Sequence, residues 1–297
     1  MRHIETALVT GASAGLGAGF ARRLAARGAN VVLVARRAER LQELAEQLTS
    51  QHGVTATVLP ADLSAQHAAR TISHQLEDLG IVPDAVINSA GLGTAGDFAR
   101  EDLAALHTEL MVNIVALTEL TRELLPGVID KRGVLLNVSS NAGFQPLPRI
   151  ATYAASKAYV TALTEAIWKE TEGSGVKVIA LCPGPTETEF FDAAGSETFK
   201  VGSVDTVDRV LDVAIAAIDR ERTWLGLRPA PTVIVGGQRA FSATLNRLVP
   251  RRVSLSVTEG LTRKSSAASS IVKQRDAVSA SDAAGAGTEG DPKRDDA

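Results

Sequence analysis

"TALVTGASAGLGAGFARRLAARG", Thr6 to Gly28, reads as a strand, a glycine-rich turn and a helix in direct succession. "TALVT" is a short apolar, β-prone run. "LGAGFARRLAARG" repeats its apolar residues at helical spacing, with Gly28 where a left-handed cap is expected to end the helix. Between them, Gly11, Gly15 and Gly17 mark the turn from strand into helix. Glycines there let the backbone turn tightly and approach a pyrophosphate, while the helix N-terminus offers free N–H groups to the anion. Ser13, Ala14 and Leu16, between those glycines, are candidate dinucleotide contacts with them. The spacing is GxxxGxG rather than GxGxxG.

The same alternation continues along the chain. Further β-rich runs are "VVLVA", "TATVL", "DAVINS", "GVLLNVSS", "VKVIALC" and "TVIV", and segments of helical length such as "ERLQELAEQLTSQ" lie between most of them. Continuous apolar strands alternating with helices imply a parallel sheet covered on both faces. The expected fold is α/β: one Rossmann-type doubly wound domain with about seven parallel strands, over residues 1–238. Residues 239–264 form a basic and apolar extension, read first as a terminal helix packed on its own domain or on a second subunit. Membrane contact through this extension is the less favoured reading, because Pro250 interrupts the helical pattern. Residues 265–297, rich in Ser, Ala, Gly and Asp, have little to bury and are expected to form a disordered tail.

The formal net charge of −3 over 297 residues gives no global field that would favour nucleic acid as a partner. Cys182 is the single cysteine, at the end of an apolar run, so no intrachain disulfide can form; it reads as a buried small hydrophobe. The five histidines are scattered without ligand spacing, so no metal site is expected. "MRHIETALVTGAS" lacks the apolar core of a signal peptide, and no uninterrupted apolar run is long enough to span a bilayer. A cytoplasmic location is the expectation.

The second strand ends "VVLVARRAER". An acidic residue at its tip would bond the adenosine ribose hydroxyls and point to NAD(H). Ala35 and Arg36 stand there instead, and Arg36 and Arg37 suit a 2′-phosphate, which guanidinium grips through paired hydrogen bonds. NADP(H) is therefore expected over NAD(H).

From Thr6 to Gly237 the chain resembles the short-chain dehydrogenase/reductase family, whose motifs appear in order. "TGASAGLG" is similar to its cofactor loop, and "ADL", with Asp62 and Leu63, to the segment that contacts adenine. "NSAG" supplies Asn88, Ala90 and Gly91, with Ser89 replacing the family's second asparagine. "MVNIVA" supplies Asn113, and "YAASK" supplies Tyr153 and Lys157. "PGPTET" supplies Pro183, Gly184, Thr186 and Thr188, similar to the segment that holds the nicotinamide. In the family the serine lies thirteen residues before the tyrosine and three before a glycine; Ser140 meets both conditions and Ser139 is offset by one.

The resemblance implies that Tyr153 exchanges a proton with the substrate oxygen, that Ser140 bonds the same oxygen, and that Lys157 bonds the nicotinamide ribose. Asn113 would hold a water linking Lys157 to solvent, and the cofactor would supply hydride. A free tyrosine titrates near a pKa of about 10, and a cation roughly 4–6 Å away lowers such a value by about 1–3. Lys157, one helical turn on, is expected to lower Tyr153 in this way. Leu92, Phe144, Pro146, Leu147, Phe190 and Phe191 are candidate substrate-wall residues, apolar and without a charge clamp. They suggest a lipophilic ketone, aldehyde or secondary alcohol as the small-molecule partner. "TETEFFDAAGSETFKVGS", Thr186 to Ser203, has the character of a loop that closes over substrate. The leading reading is an NADPH-dependent carbonyl reductase. The alternatives are an alcohol dehydrogenase oxidising a sterol or fatty alcohol, and a non-catalytic NADP(H)-sensing protein. The resemblance also implies a homodimer or homotetramer.

Overall fold

A computed structural model of the chain describes residues 2–191, 203–221 and 227–236, together with Leu255, Thr258 and Glu259. Among the described residues, seven strands form one sheet: β1 (Thr6–Thr10), β2 (Asn30–Ala35), β3 (Ala56–Pro60), β4 (Ala85–Asn88), β5 (Val134–Val138), β6 (Lys177–Cys182) and β7 (Thr232–Ile234). Their order is β3-β2-β1-β4-β5-β6-β7, with every pairing parallel. This is the expected Rossmann-type sheet. Its order reverses between β1 and β4, and the crevice beyond the carboxyl ends of those strands is where such folds bind ligands.

Alternation along each strand sends neighbouring side chains to opposite faces. On β1, Ala7 and Val9 join one core and Leu8 the other; on β5, Val134, Leu136 and Val138 join the first and Leu135 the second. The first core lies under α1 (Gly15–Ala25), α2 (Ala38–His52) and the last described helix, α7 (Val207–Asp219). The second lies under α3 (Ala68–Asp78) and α5 (Leu117–Asp130). Between these in sequence come α4 (Leu103–Leu110) and α6 (Ala151–Glu170).

Helix α1 ends in the expected left-handed cap: at Gly28 (φ +86°) the N–H donates to the Ala25 carbonyl at 2.9 Å, and the Ala29 N–H reaches back to the Leu24 carbonyl at 3.1 Å. The run Leu103–Asp130 is helical throughout and is long and apolar enough, by length and composition, to cross a membrane. Here Val112, Ala116, Leu120, Leu124 and Val128 from that run are packed into the second core. Within it, Met111–Ala116 forms a π-helical turn, a distortion often found at functional sites. The expected tail at 265–297, and the extension at 239–264 apart from Leu255, Thr258 and Glu259, lie outside the described residues.

Candidate active site

A cavity of about 810 Å³ opens beyond the carboxyl ends of the central strands. The glycine loop forms one part of its wall. Gly17 is fixed by close approach: a Cβ there would lie 2.2 Å from the Gly11 carbonyl oxygen. The α1 N-terminus behind the loop has no side-chain cap and no acidic residue in its first turn, so it keeps its N–H groups for an anion. Ser13, Ala14, Gly15, Leu16, Arg36, Arg37, Asp62 and Leu63 share this part of the wall. Asp62 accepts from Ser64 N–H at 2.9 Å and Ser64 Oγ at 2.8 Å, which hold its carboxyl below the usual range. Thr10 Oγ1 accepts from the N–H groups of Ser89 and Ala90 at 3.0 and 3.1 Å, fixing the turn that brings Ala90 and Gly91 to the cavity. Pro183, Gly184, Thr186 and Thr188 line it from the far side.

Ser140 and Tyr153 meet at the same cavity, where Ser140 favours the ionised form of the Tyr153 phenol. Ser140 also caps the short turn Asn141–Phe144, accepting from Ala142 N–H at 3.1 Å. Gly143 in that turn allows contact with α6, since a Cβ would sit 2.8 Å from Ala158 N. Ser139 also borders the cavity, but its hydroxyl is tied elsewhere: Oγ donates to the Lys157 carbonyl at 2.7 Å and lies 2.7 Å from Thr161 Oγ1. Strand alternation thus separates the two serines as their spacing suggests. Lys157 is buried, donates to the Val138 carbonyl at 2.9 Å, and lies 5.8 Å from the centre of the Tyr153 ring.

The expected effect of Lys157 on Tyr153 is not found. Burial pushes the Tyr153 phenol up to about 12; Ser140 pulls it back and Glu109 raises it. Burial also draws Lys157 down to about 8, against the raising influence of Glu109. Desolvation disfavours the charged form of both groups, and here it outweighs their spacing on the helix. The Tyr153 hydroxyl therefore keeps its proton across the physiological range.

Asn113 is completely buried on the π turn. Its Nδ2 donates to the Leu92 carbonyl at 2.9 Å and to Ser156 Oγ at 3.0 Å, while its Oδ1 accepts from Leu92 N–H at 2.9 Å. Both amide hydrogens are engaged, so the side chain clamps Leu92 into the cavity wall. Asn88 is also buried, donating to Thr121 and Asn137 at 3.1 and 2.9 Å; it braces β4 against β5 and α5 and is not on the cavity wall. Leu92, Leu147, Phe190 and Phe191 line the apolar part, whereas Phe144 and Pro146 fall outside the wall. The Phe190 ring lies 5.5 Å from that of Tyr153, centre to centre. Residues 192–202 of the expected closing loop lie outside the described residues. Cys182 is fully buried and its thiol is pushed up to about 12, in keeping with a packing residue. No cluster of metal-ligating side chains occurs among the described residues.

The family model described as short chain dehydrogenase matches residues 5–198. The chain belongs to the short-chain dehydrogenase family. It is similar to sulfoacetaldehyde reductase 2 of Chromohalobacter salexigens, 36% identical over 63% of this chain and 74% of that protein. Among solved structures it is similar to a short-chain dehydrogenase from Sphingobium yanoikuyae in complex with NADPH, with TM-score 0.71 and 32% identity over 82% of this chain and 94% of the other. A bulky-bulky ketone specific alcohol dehydrogenase from Comamonas testosteroni is also similar, with TM-score 0.68 and 30% identity over 83% and 93%. This short-chain dehydrogenase is an oxidoreductase acting on carbonyl and alcohol groups.

Three site residues of this short-chain dehydrogenase escaped the sequence reading. Glu109, on α4 one turn before Asn113, is completely buried. Its Oε2 accepts from Thr94 N–H and Oγ1 at 2.8 and 2.6 Å, and its Oε1 has no partner among the described residues. Burial raises its pKa, with the Thr94 bonds and Lys157 opposing and the charge of Glu101 adding. Asn113 and Glu109 thus clamp the 91–96 segment at two successive points, Leu92 and Thr94. Glu189 lines the cavity and pairs with Arg37 and Arg40. Thr258 is buried on the wall and donates to the Pro146 carbonyl at 3.3 Å, so one described residue of the C-terminal extension reaches the site.

Proposed function

We propose that this chain is an NADP(H)-dependent carbonyl reductase for bulky, lipophilic ketones or aldehydes, with Tyr153 as proton donor. The observation that carries this reading is one continuous cavity. It joins an uncapped helix N-terminus and the Arg36–Arg37 pair to a neutral phenol that shares the wall with Ser140 and lies beside Phe190. The backbone of the glycine loop and α1 would hold the pyrophosphate, Arg36 and Arg37 the 2′-phosphate, and Thr186 and Thr188 the nicotinamide end. When bound, the cofactor supplies the hydride. Tyr153 gives its proton to the carbonyl oxygen, and Ser140 donates to that oxygen as charge develops on it. The buried Lys157, held on the Val138 carbonyl, would bond the nicotinamide ribose. The apolar wall of Leu92, Leu147, Phe190 and Phe191 excludes water and receives the substrate's hydrocarbon groups.

A phenol that keeps its proton to about 12 supports reduction over alcohol oxidation near neutral pH. The resemblance to bulky-ketone and reductase relatives supports the same direction. The family likeness also supports assembly as a homodimer or homotetramer. The test is NADPH consumption across carbonyl compounds graded from short and polar to long and ring-fused, with NADH in parallel. Turnover with NADPH that improves with apolar size is the expected result. Turnover confined to NADH, or to small charged aldehydes, contradicts the proposal.

A further inference from the structure

At the mouth of the cavity one carboxylate holds two arginines. Glu189 Oε2 accepts from Arg37 Nη1 at 2.8 Å, and its Oε1 accepts from Arg40 Nη1 at 2.7 Å. The opposite edge of the Arg37 guanidinium donates from Nε and Nη2 to Ser13 Oγ at 3.1 and 3.0 Å. Three separate segments meet here: the glycine loop through Ser13, the start of α2 through Arg37 and Arg40, and the segment after β6 through Glu189. Ser13, Arg37 and Glu189 all line the cavity. The two arginines hold the Glu189 carboxyl below its usual range. Side chains here are about half exposed, between 43% and 51%, so the cluster is solvated and exchangeable rather than a buried structural pair.

A phosphate arriving at Arg37 meets this carboxylate. Both anions want the same guanidinium donors, and like charges in contact disfavour one another. We propose that Glu189 is a specificity-determining residue for the cofactor: it competes with the 2′-phosphate for Arg37 and Arg40 and so limits the preference for NADP(H) over NAD(H). The inference rests on the NADP(H) reading. A nucleotide without the 2′-phosphate has no group to contest the pair and leaves it intact.

The experiment is fluorescence titration of the full chain with NADPH and with NADH at low ionic strength, for the wild type, Glu189→Gln and Glu189→Ala. With the competing charge gone, NADPH is expected to bind about three- to tenfold more tightly, and NADH to change by less than about twofold. The gain should shrink as salt screens the arginines. Weakening of both nucleotides by the same factor overturns the inference, because Glu189 would then be a clasp that closes over either cofactor. Unchanged Kd values for both also overturn it. A wild type that binds NADH more tightly than NADPH, with both variants keeping that order, overturns the underlying reading instead.

Discussion

The two parts of the cavity work under different electrostatic rules. Around Tyr153, the ionisable groups are buried, and two are held by fixed partners: Lys157 on the Val138 carbonyl and Glu109 on Thr94. Desolvation there is the leading cause of each shift and favours the neutral form of all three. Around Arg37, the groups are exposed and answer one another as charged pairs, and the Glu189 carboxyl moves the opposite way from Glu109. The same residue type is thus driven toward its neutral form by burial in one place and toward its charged form by arginines in the other. The buried part suits proton transfer, and the exposed part suits recognition of a charged nucleotide.

Replacing Tyr153 with Phe should cause the largest loss, lowering kcat about 10²- to 10⁴-fold while the NADPH Kd stays near that of the wild type. Steady-state kinetics and nucleotide titration together check this. Ser140→Ala should follow, with kcat reduced roughly 10²-fold by loss of one donor to the developing oxyanion. Glu109→Gln keeps an acceptor for Thr94 but removes the charge that supports Lys157. Lys157 should then lose its proton at lower pH, moving the alkaline limb of kcat/KM down by about half to one unit. An unmoved limb, with the variant folded, would leave Glu109 a clamp only. Ser139→Ala should give the smallest effect, costing about 1 kcal/mol of stability in thermal or denaturant unfolding with little change in kcat. A loss of kcat in Ser139→Ala equal to that in Ser140→Ala would erase the distinction between the two faces of the strand.

The fold and the central residues were legible because local rules set them. A strand, a close-packed glycine turn and a helix are encoded within Thr6–Ala25, and the thirteen-residue spacing from Ser140 to Tyr153 selects the serine that faces the cavity. What escaped depended on distant partners. Glu109 looks like an ordinary polar residue on a short helix until Thr94 and the packing of α4 bury it. Glu189 pairs with an arginine 152 residues away, which no local pattern announces. Asn88 belongs to a cofactor-edge motif, but its side chain turns inward to Asn137, and motif membership does not carry that direction. For Tyr153, helical spacing shows the nearby cation and does not show the burial that outweighs it.

The most direct test of this account is the pH dependence of kcat/KM for NADPH-driven reduction of a bulky ketone, between pH 6 and 10 on the order of half-unit steps. A neutral phenol backed by an ammonium that titrates near 8 predicts a plateau through neutrality and a fall above about 8 as Lys157 loses its proton. A rate that climbs steadily from 8 to 10, with Tyr153 ionising toward its active form, would contradict it.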